Sequence, residues 1–126
     1  MGWADGLGLR WSREAPGLVA VFVPGPAHEG RPGFVHGGLA ATALDESMAA
    51  LGWAIDRIHT VTANLTLRYR QPVPVDGRPV RVEAWRDRPE ARRVQKVHGH
   101  LLLADGTAAV EATGLFVRVD APAGDE

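Results

Sequence analysis

A chain of 126 residues, 45% hydrophobic and 23% charged, suits one soluble globular domain with a modest core and leaves no room for a second full domain. Its formal net charge of -1 and pI near 6.5 exert no global pull toward nucleic acid or an anionic membrane, so neither is expected as a partner. Cysteine is absent, which excludes disulfides, thiolate nucleophiles and Cys-ligated zinc; serine occurs only at Ser12 and Ser47, neither in a Gly-x-Ser-x-Gly turn, so a serine triad is not expected.

Met1-Gly2-Trp3-Ala4-Asp5-Gly6 has neither the basic nor the apolar run of a leader, and no segment approaches the ~20 apolar residues of a membrane span, which makes the cytoplasm the expected location. Leu7 to Arg13 and Leu18 to Pro24 alternate weakly around Glu14-Ala15-Pro16-Gly17 and read as two short strands joined by a turn. Gly25 to Gly33, with Pro26, Gly30, Pro32 and Gly33, reads as an irregular loop delivering the chain to His36. A helix is expected from Gly37 to about Trp53. From Thr60 to Arg70, Val61, Ala63, Leu65, Leu67 and Tyr69 alternate with Thr62, Asn64, Thr66, Arg68 and Arg70, the pattern of a strand with one polar face.

Gln71 to Gly77, with Pro72, Pro74 and an Asp76-Gly77 turn, ends that strand. In the next, Val80, Val82, Ala84 and Arg86 share a face opposite Arg81, Glu83 and Trp85. After a break at Arg86 to Ala91, Val94 to Leu103 and Thr107 to Val119 form a long hairpin about Asp105-Gly106, a dipeptide suited to a tight antiparallel turn. Asp120 to Glu126 is small, proline-containing and acidic, and is expected to fray. The order strand, strand, long helix, four strands implies an α+β fold, an antiparallel sheet around one buried helix, with residues 1–126 as a single domain.

The helix carries the chemistry. Leu39, Ala40, Ala43, Leu44, Met48, Ala49, Ala50 and Leu51 leave it almost no solvated face, so it is expected to be wrapped, and ionising Asp45 there is expected to be expensive. Thr42, Asp45 and Ala49 share one side, while Glu46 is turned from Asp45 by about 100°. Asp45 and Glu46 read either as a solvated acidic patch or, for Asp45, as a general base or nucleophile. His36-Gly37-Gly38 also admits two readings: the glycines permit a sharp helix entry while His36 bonds a neighbouring backbone group, or the bare N–H groups polarise a carbonyl oxygen and admit a bulky thioester.

Gly37 and Asp45 are eight residues apart, about 12 Å at helical rise. A reacting carbonyl needs its donor and its attacking group each at roughly 3 Å. One carbonyl cannot readily meet both in one chain, so the spacing points to a homodimer in which the helix start of one copy faces Asp45 of the other.

His36-Gly37-Gly38 followed by Leu44-Asp45 resembles the hotdog-fold thioesterases of the phenylacetyl-CoA thioesterase type. Val61-Thr62-Ala63-Asn64-Leu65-Thr66-Leu67-Arg68-Tyr69 with Pro72 and Pro74 extends the likeness, especially to the acyl-CoA thioesterase superfamily branch, so that it covers roughly residues 34 to 75. The resemblance implies a hotdog fold hydrolysing an acyl-CoA thioester, with Asp45 as catalytic carboxylate, Gly37 as backbone donor to the thioester carbonyl, Thr62 as the hydroxyl that positions water, and His36 shaping the site. It also implies two antiparallel helices wrapped by a joined sheet, each active site shared across the dimer, with pairs of dimers common and no cofactor. One departure stands out: some members carry Asn or Gln about six residues before the motif histidine, where this chain has Gly30 between Glu29 and Arg31.

For the substrate's remaining contacts the expected residues are Gly38, Asn64, Arg70, Arg93 and Lys96, with Arg68 and Arg92 as further phosphate partners. His98 and His100 share a strand face but have no recognisable third ligand, so no metal is expected. The tryptophans Trp3, Trp11, Trp53 and Trp85 are too scattered to form a stacking platform and are expected at the core rim or at subunit contacts. The alternatives to hydrolysis are a non-catalytic acyl-CoA sensor on the same fold and a hotdog dehydratase, whose Asp–His spacing His36 and Asp45 do not supply.

Overall fold

The structure, a computed structural model, describes residues 8–90 and 92–120. Strands β1 (Trp11–Glu14) and β2 (Gly17–Phe22) lead through a short 3-10 turn, Pro26–His28, to helix α1 (Gly37–Asp56), after which come β3 (His59–Tyr69), β4 (Val80–Arg86), β5 (Val94–Leu102) and β6 (Ala108–Val119). All six strands join one antiparallel sheet in the order β1-β2-β4-β5-β6-β3. Helix α1 lies across one face of it, against β2 to β6. The expected antiparallel sheet with one long helix is therefore what the chain forms. Leu7, Trp3 and the tail beyond Asp120 lie outside the described residues.

Periodicity explains the core. Leu39, Ala43, Leu44, Met48 and Leu51 of α1 are buried against Leu18, Val82, Val97, Leu101, Val110 and Phe116 of the sheet. Each large apolar side chain so placed contributes about 1.5–3 kcal/mol. Gly99 lies under the helix, where an added Cβ would sit 3.1 Å from Met48 Sδ and 3.2 Å from Leu44 Cδ2.

The helix runs one turn past its expected end at Trp53, to Asp56. Nothing in Trp53 to Asp56 breaks a helix; the stop is Arg57, whose backbone is left-handed at φ 57° and whose N–H bonds the carbonyl of Trp53 at 3.0 Å. Arginine is an uncommon residue there, so the usual glycine stop signal is missing.

Strand β3 carries the larger correction. A bulge between Thr62 and Asn64 inserts Ala63 without a partner on β6, so Thr62 pairs with Phe116 while Leu65, Leu67 and Tyr69 pair with Gly114, Ala112 and Val110. Phe116, Ala112 and Val110 are buried under α1, so Thr62, Leu65, Leu67 and Tyr69 all face the helix. Simple alternation assigns Thr62 to the opposite face from the other three; the extra residue shifts the phase and unites them.

The helix is also less enclosed than its composition implies. The sheet covers one side only, leaving Ala41, Thr42 and Asp45 half-buried and Glu46 and Trp53 exposed. Beside this open side, β3 is an edge strand, and Val61, Thr62, Ala63 and Asn64 are all exposed.

At the far end of α1, the buried guanidinium of Arg86 gathers three hydrogen-bond acceptors and one ion-pair partner. It lies 2.6 Å from the Asp56 carboxylate and donates to Gln95 Oε1 at 2.9 Å, the Arg88 carbonyl at 2.9 Å and the Pro89 carbonyl at 2.7 Å. Alternation puts Arg86 on the buried face with Val80, Val82 and Ala84. These four contacts are what make a charge tolerable there.

Candidate active site

The start of α1 is built by the chain's approach to it. The Val35 N–H bonds the Val73 carbonyl and the His36 N–H the His28 carbonyl, both at 2.9 Å, which fixes the loop where it enters the helix. His36 is the N-cap, its Nδ1 accepting from the Gly38 N–H at 2.9 Å. An Nδ1 that accepts leaves the ring proton on Nε2. The His36 carbonyl takes the N–H groups of Leu39 and Ala40 at 3.0 and 3.1 Å. Of the first-turn donors, the Gly37 N–H is the one that no hydrogen bond among the described residues uses.

The first reading of His36-Gly37-Gly38 is the one the hydrogen bonds show. His36 bonds the backbone, and by doing so it narrows the helix-start donors to one. A Cβ at Gly30 would lie 3.0 Å from His36 Cα and 3.2 Å from its Cδ2. The loop position at which the resemblance leads one to expect an amide side chain in some members is closed here by the histidine itself.

Two turns along α1, Asp45 Oδ1 accepts a 2.7 Å hydrogen bond from Thr62 Oγ1. The bulge in β3 makes this contact possible by turning Thr62 toward the helix. One carboxylate oxygen is held and the other, Oδ2, takes no hydrogen bond among the described residues. Asp45 is half-buried on the open side of the helix, so the enclosure expected around it is not complete within one chain.

Two open cavities, of about 350 and 450 Å3, meet at Gly37. The first runs inward along Val35, Ala40, Tyr69, Val73 and Val110; the second opens over Gly30, Arg31, Phe34, His36 and Pro72. Apolar walls beside a single backbone donor suit an uncharged acyl group. Tyr69, which sequence reasoning counted only as part of an apolar stripe, lies between strand and helix and donates from its hydroxyl to the Gly37 carbonyl at 2.7 Å. Half-exposed as it is, Tyr69 left no signal in the sequence for this contact.

Of the remaining expected binding residues, Asn64, Arg93 and Lys96 do not line these two cavities within one chain. Asn64 and Lys96 each stand opposite Leu115 on the outer face of the sheet, away from α1. Lys96 and Arg92 line a separate cavity of about 350 Å3 with Arg88, Val94 and Leu115. The Arg93 carbonyl takes the Arg118 N–H at 2.7 Å. Arg70 lines the inward cavity beside Gly37 but pairs with Glu111 at 2.6 Å.

The outer face also holds His98 and His100, which flank Trp85 with ring centroids 5.8 and 4.8 Å away and pair with Asp87 and Glu83. Of the other tryptophans, Trp11 donates from its indole to Ser47 Oγ at 2.9 Å, and Trp53 lies against His59 with ring centroids 4.8 Å apart. Burial pushes the Glu83 carboxyl up, but hydrogen bonds from Arg81 and His100 outweigh it and hold it below the usual carboxylate range. A carboxyl so depressed stabilises the fold above its unfolded pKa, and that contribution is lost as pH falls through the folded value. Melting temperature is therefore expected to drop below the ordinary carboxylate range, and Glu83→Gln to flatten that acid limb in a pH series.

A family model described as the thioesterase superfamily matches residues 32–101, from the loop before His36 to the end of β5. The chain belongs to the thioesterase superfamily. Among this thioesterase-superfamily chain's relatives is the acyl-coenzyme A thioesterase THEM4 of Xenopus laevis, 34% identical across 91% of this chain and 53% of its own length. THEM4 of Bos taurus is 32% identical across 94% of this chain and 50% of its own. The chain thus spans about half the length of these relatives.

Among solved structures, the phenylacetic acid degradation-related protein of Ralstonia eutropha is 30% identical, with a TM-score of 0.78 over 93% of this chain and 89% of its own. A Bacillus halodurans protein whose structure includes CoA shares the fold, with a TM-score of 0.80 at 22% identity over 95% of this chain and 80% of its own. These likenesses identify the architecture as the hotdog fold. No helix among the described residues is long and apolar enough to cross a membrane.

Proposed function

We propose that this protein hydrolyses acyl-CoA thioesters, in a site completed by two copies of the chain. The observation that carries the reading is the 2.7 Å bond from Thr62 on the edge strand to Asp45 on the helix. It is a carboxylate held at one oxygen, on an open helix face, in a fold whose relatives include acyl-coenzyme A thioesterases. The CoA in the Bacillus halodurans structure supports coenzyme A as the carrier.

In the proposed reaction the substrate carbonyl oxygen accepts from the Gly37 N–H of one copy. Asp45 of the facing copy takes a proton from water as the water oxygen bonds the carbonyl carbon, and Thr62 keeps the carboxylate oriented. The tetrahedral oxyanion collapses, the carbon–sulfur bond breaks, and coenzyme A leaves as the thiolate and regains a proton. Direct attack by Asp45 through an acyl anhydride is the variant of the same site.

Two features of the geometry support the dimer. An exposed edge strand offers unpaired backbone groups to a second β3, and the half-buried Ala41, Thr42 and Asp45 form the face that a second helix would cover. Pairs of such dimers would bring the outer faces, with Lys96, Arg92 and Asn64, close to a neighbouring copy.

The test is a panel of CoA esters, short, long, phenylacetyl and hydroxybenzoyl, followed by release of free thiol. Turnover that strongly favours one ester is expected and names the acyl class. Tight binding of the esters without release of thiol in any of them would overturn hydrolysis in favour of an acyl-CoA binding module.

A further inference from the structure

The Gly37 carbonyl and the Gly38 N–H are the two polar ends of one peptide group, and both are held by side chains. Tyr69 Oη donates to the carbonyl at 2.7 Å, and His36 Nδ1 accepts from the N–H at 2.9 Å. Tyr69 reaches across from the edge strand β3, and its ring passes 3.7 Å from where a Gly37 Cβ would be. The bulge at Ala63 puts the Tyr69 side chain on the helix side.

We propose that Tyr69 is a positioning residue for hydrolysis, acting through Gly37, and this rests on the reading of the Gly37 N–H as the donor to the thioester carbonyl. Two consecutive glycines make the loosest possible opening to a helix, because each adds backbone freedom that a Cβ would remove. Helix ends fray in any case. The Gly37 N–H shares its peptide with the His36 carbonyl, which the Leu39 and Ala40 N–H groups hold; the clamp on the following peptide adds the second restraint, and a catalytic donor is worth most when it is aimed before the charge develops. The Gly37 N–H is separated from the clamped peptide only by the two torsions of Gly37. Holding that peptide at its oxygen and its nitrogen restricts those torsions and aims the N–H.

The clamp also explains why neither side chain needs to touch the reacting carbon. His36 holds one end from within the loop and Tyr69 the other from the strand. The partly buried phenol, whose pKa burial raises, stays a hydrogen-bond donor through the neutral range.

The experiment compares Tyr69→Phe, which keeps the ring and deletes the hydroxyl, with Tyr69→Leu, which removes the ring, using the best ester of the panel. Tyr69→Phe is expected to lower kcat about tenfold, with KM within about twofold and melting temperature within about 2 °C. Backbone relaxation of the Gly37 amide should show greater mobility in the same variant. If Tyr69→Phe keeps the parent kcat, or shows its loss in KM alone, the clamp is overturned and the ring is only packing, whatever Tyr69→Leu does. Asp45→Asn is assayed alongside: full activity there would overturn the site itself, whereas a dead Asp45→Asn beside an unchanged Tyr69→Phe would overturn the clamp alone.

Discussion

Replacing Asp45 with Asn is expected to lower kcat for thioester hydrolysis about a thousandfold while leaving the fold and the oligomer intact. Asn has the same shape and can still accept from Thr62 Oγ1, so the 2.7 Å contact to β3 survives. What is lost is the negative charge that would take a proton from water or attack carbon. The measurement is steady-state hydrolysis beside sedimentation velocity, and a kcat within tenfold of the parent would remove Asp45 from the mechanism.

The cross-copy arrangement has its own decisive arm. Gly37→Pro deletes the one unused first-turn N–H at the first helical position, where proline is well tolerated. The preceding His36 already has extended backbone, at φ -59° and ψ 132°, which proline requires. Each variant alone is expected to be inactive. Mixed by refolding, half of the dimers are heterodimers with one of two sites free of both lesions, so about a quarter of the parent activity should return. If Gly37 and Asp45 served the same chain's site, the mixture would stay dead.

The largest expected stability effect is at the other end of the helix. Arg86→Met removes a buried guanidinium, leaving the ion-paired Asp56 carboxylate without its counter-charge and Gln95 Oε1 and the carbonyls of Arg88 and Pro89 without their donor. Removing one partner of a buried ion pair costs about 3–5 kcal/mol, because the remaining charge keeps its desolvation penalty. For a domain of this size that is a fall of roughly 10 °C or more in melting temperature. Chemical denaturation should show the same loss, and a variant within 1 kcal/mol of the parent would mean that the Arg86 contacts barely exceed their own desolvation cost.

Most of the architecture is legible along the chain because hydrophobic periodicity and turn residues are local signals. The alanine- and leucine-rich stretch after Gly37 declares a helix, Asp105-Gly106 declares a hairpin, and the order of elements along the chain follows. The helix end is less legible, since Arg57 adopts the left-handed conformation that glycine usually marks. In β3 the alternation is correct on each side of Ala63 and wrong across it. A bulge leaves no mark in a two-residue repeat except the phase slip itself.

The same contrast runs through the site. His36, Gly37, Asp45 and Thr62 were visible as residue types at telling positions, and the eight-residue gap between Gly37 and Asp45 already argued for two copies. The resemblance pointed to Thr62 as the hydroxyl beside the carboxylate, but which N–H is left over after His36 caps the helix, and that Tyr69 grips the Gly37 carbonyl, were not visible. Nor was the separation of Asn64, Arg93 and Lys96 from the helix start.

By itself the sequence determined the element types and their order and marked candidate groups on the helix, because these depend on spacing within a helical turn or a strand repeat. Only the tertiary structure decided which groups meet. Those meetings depend on strand register, on one bulged residue and on the direction of side chains from elements 17 to 32 residues apart in the chain. Local patterns cannot carry that information, since sliding one strand by one residue turns every side chain to the other face.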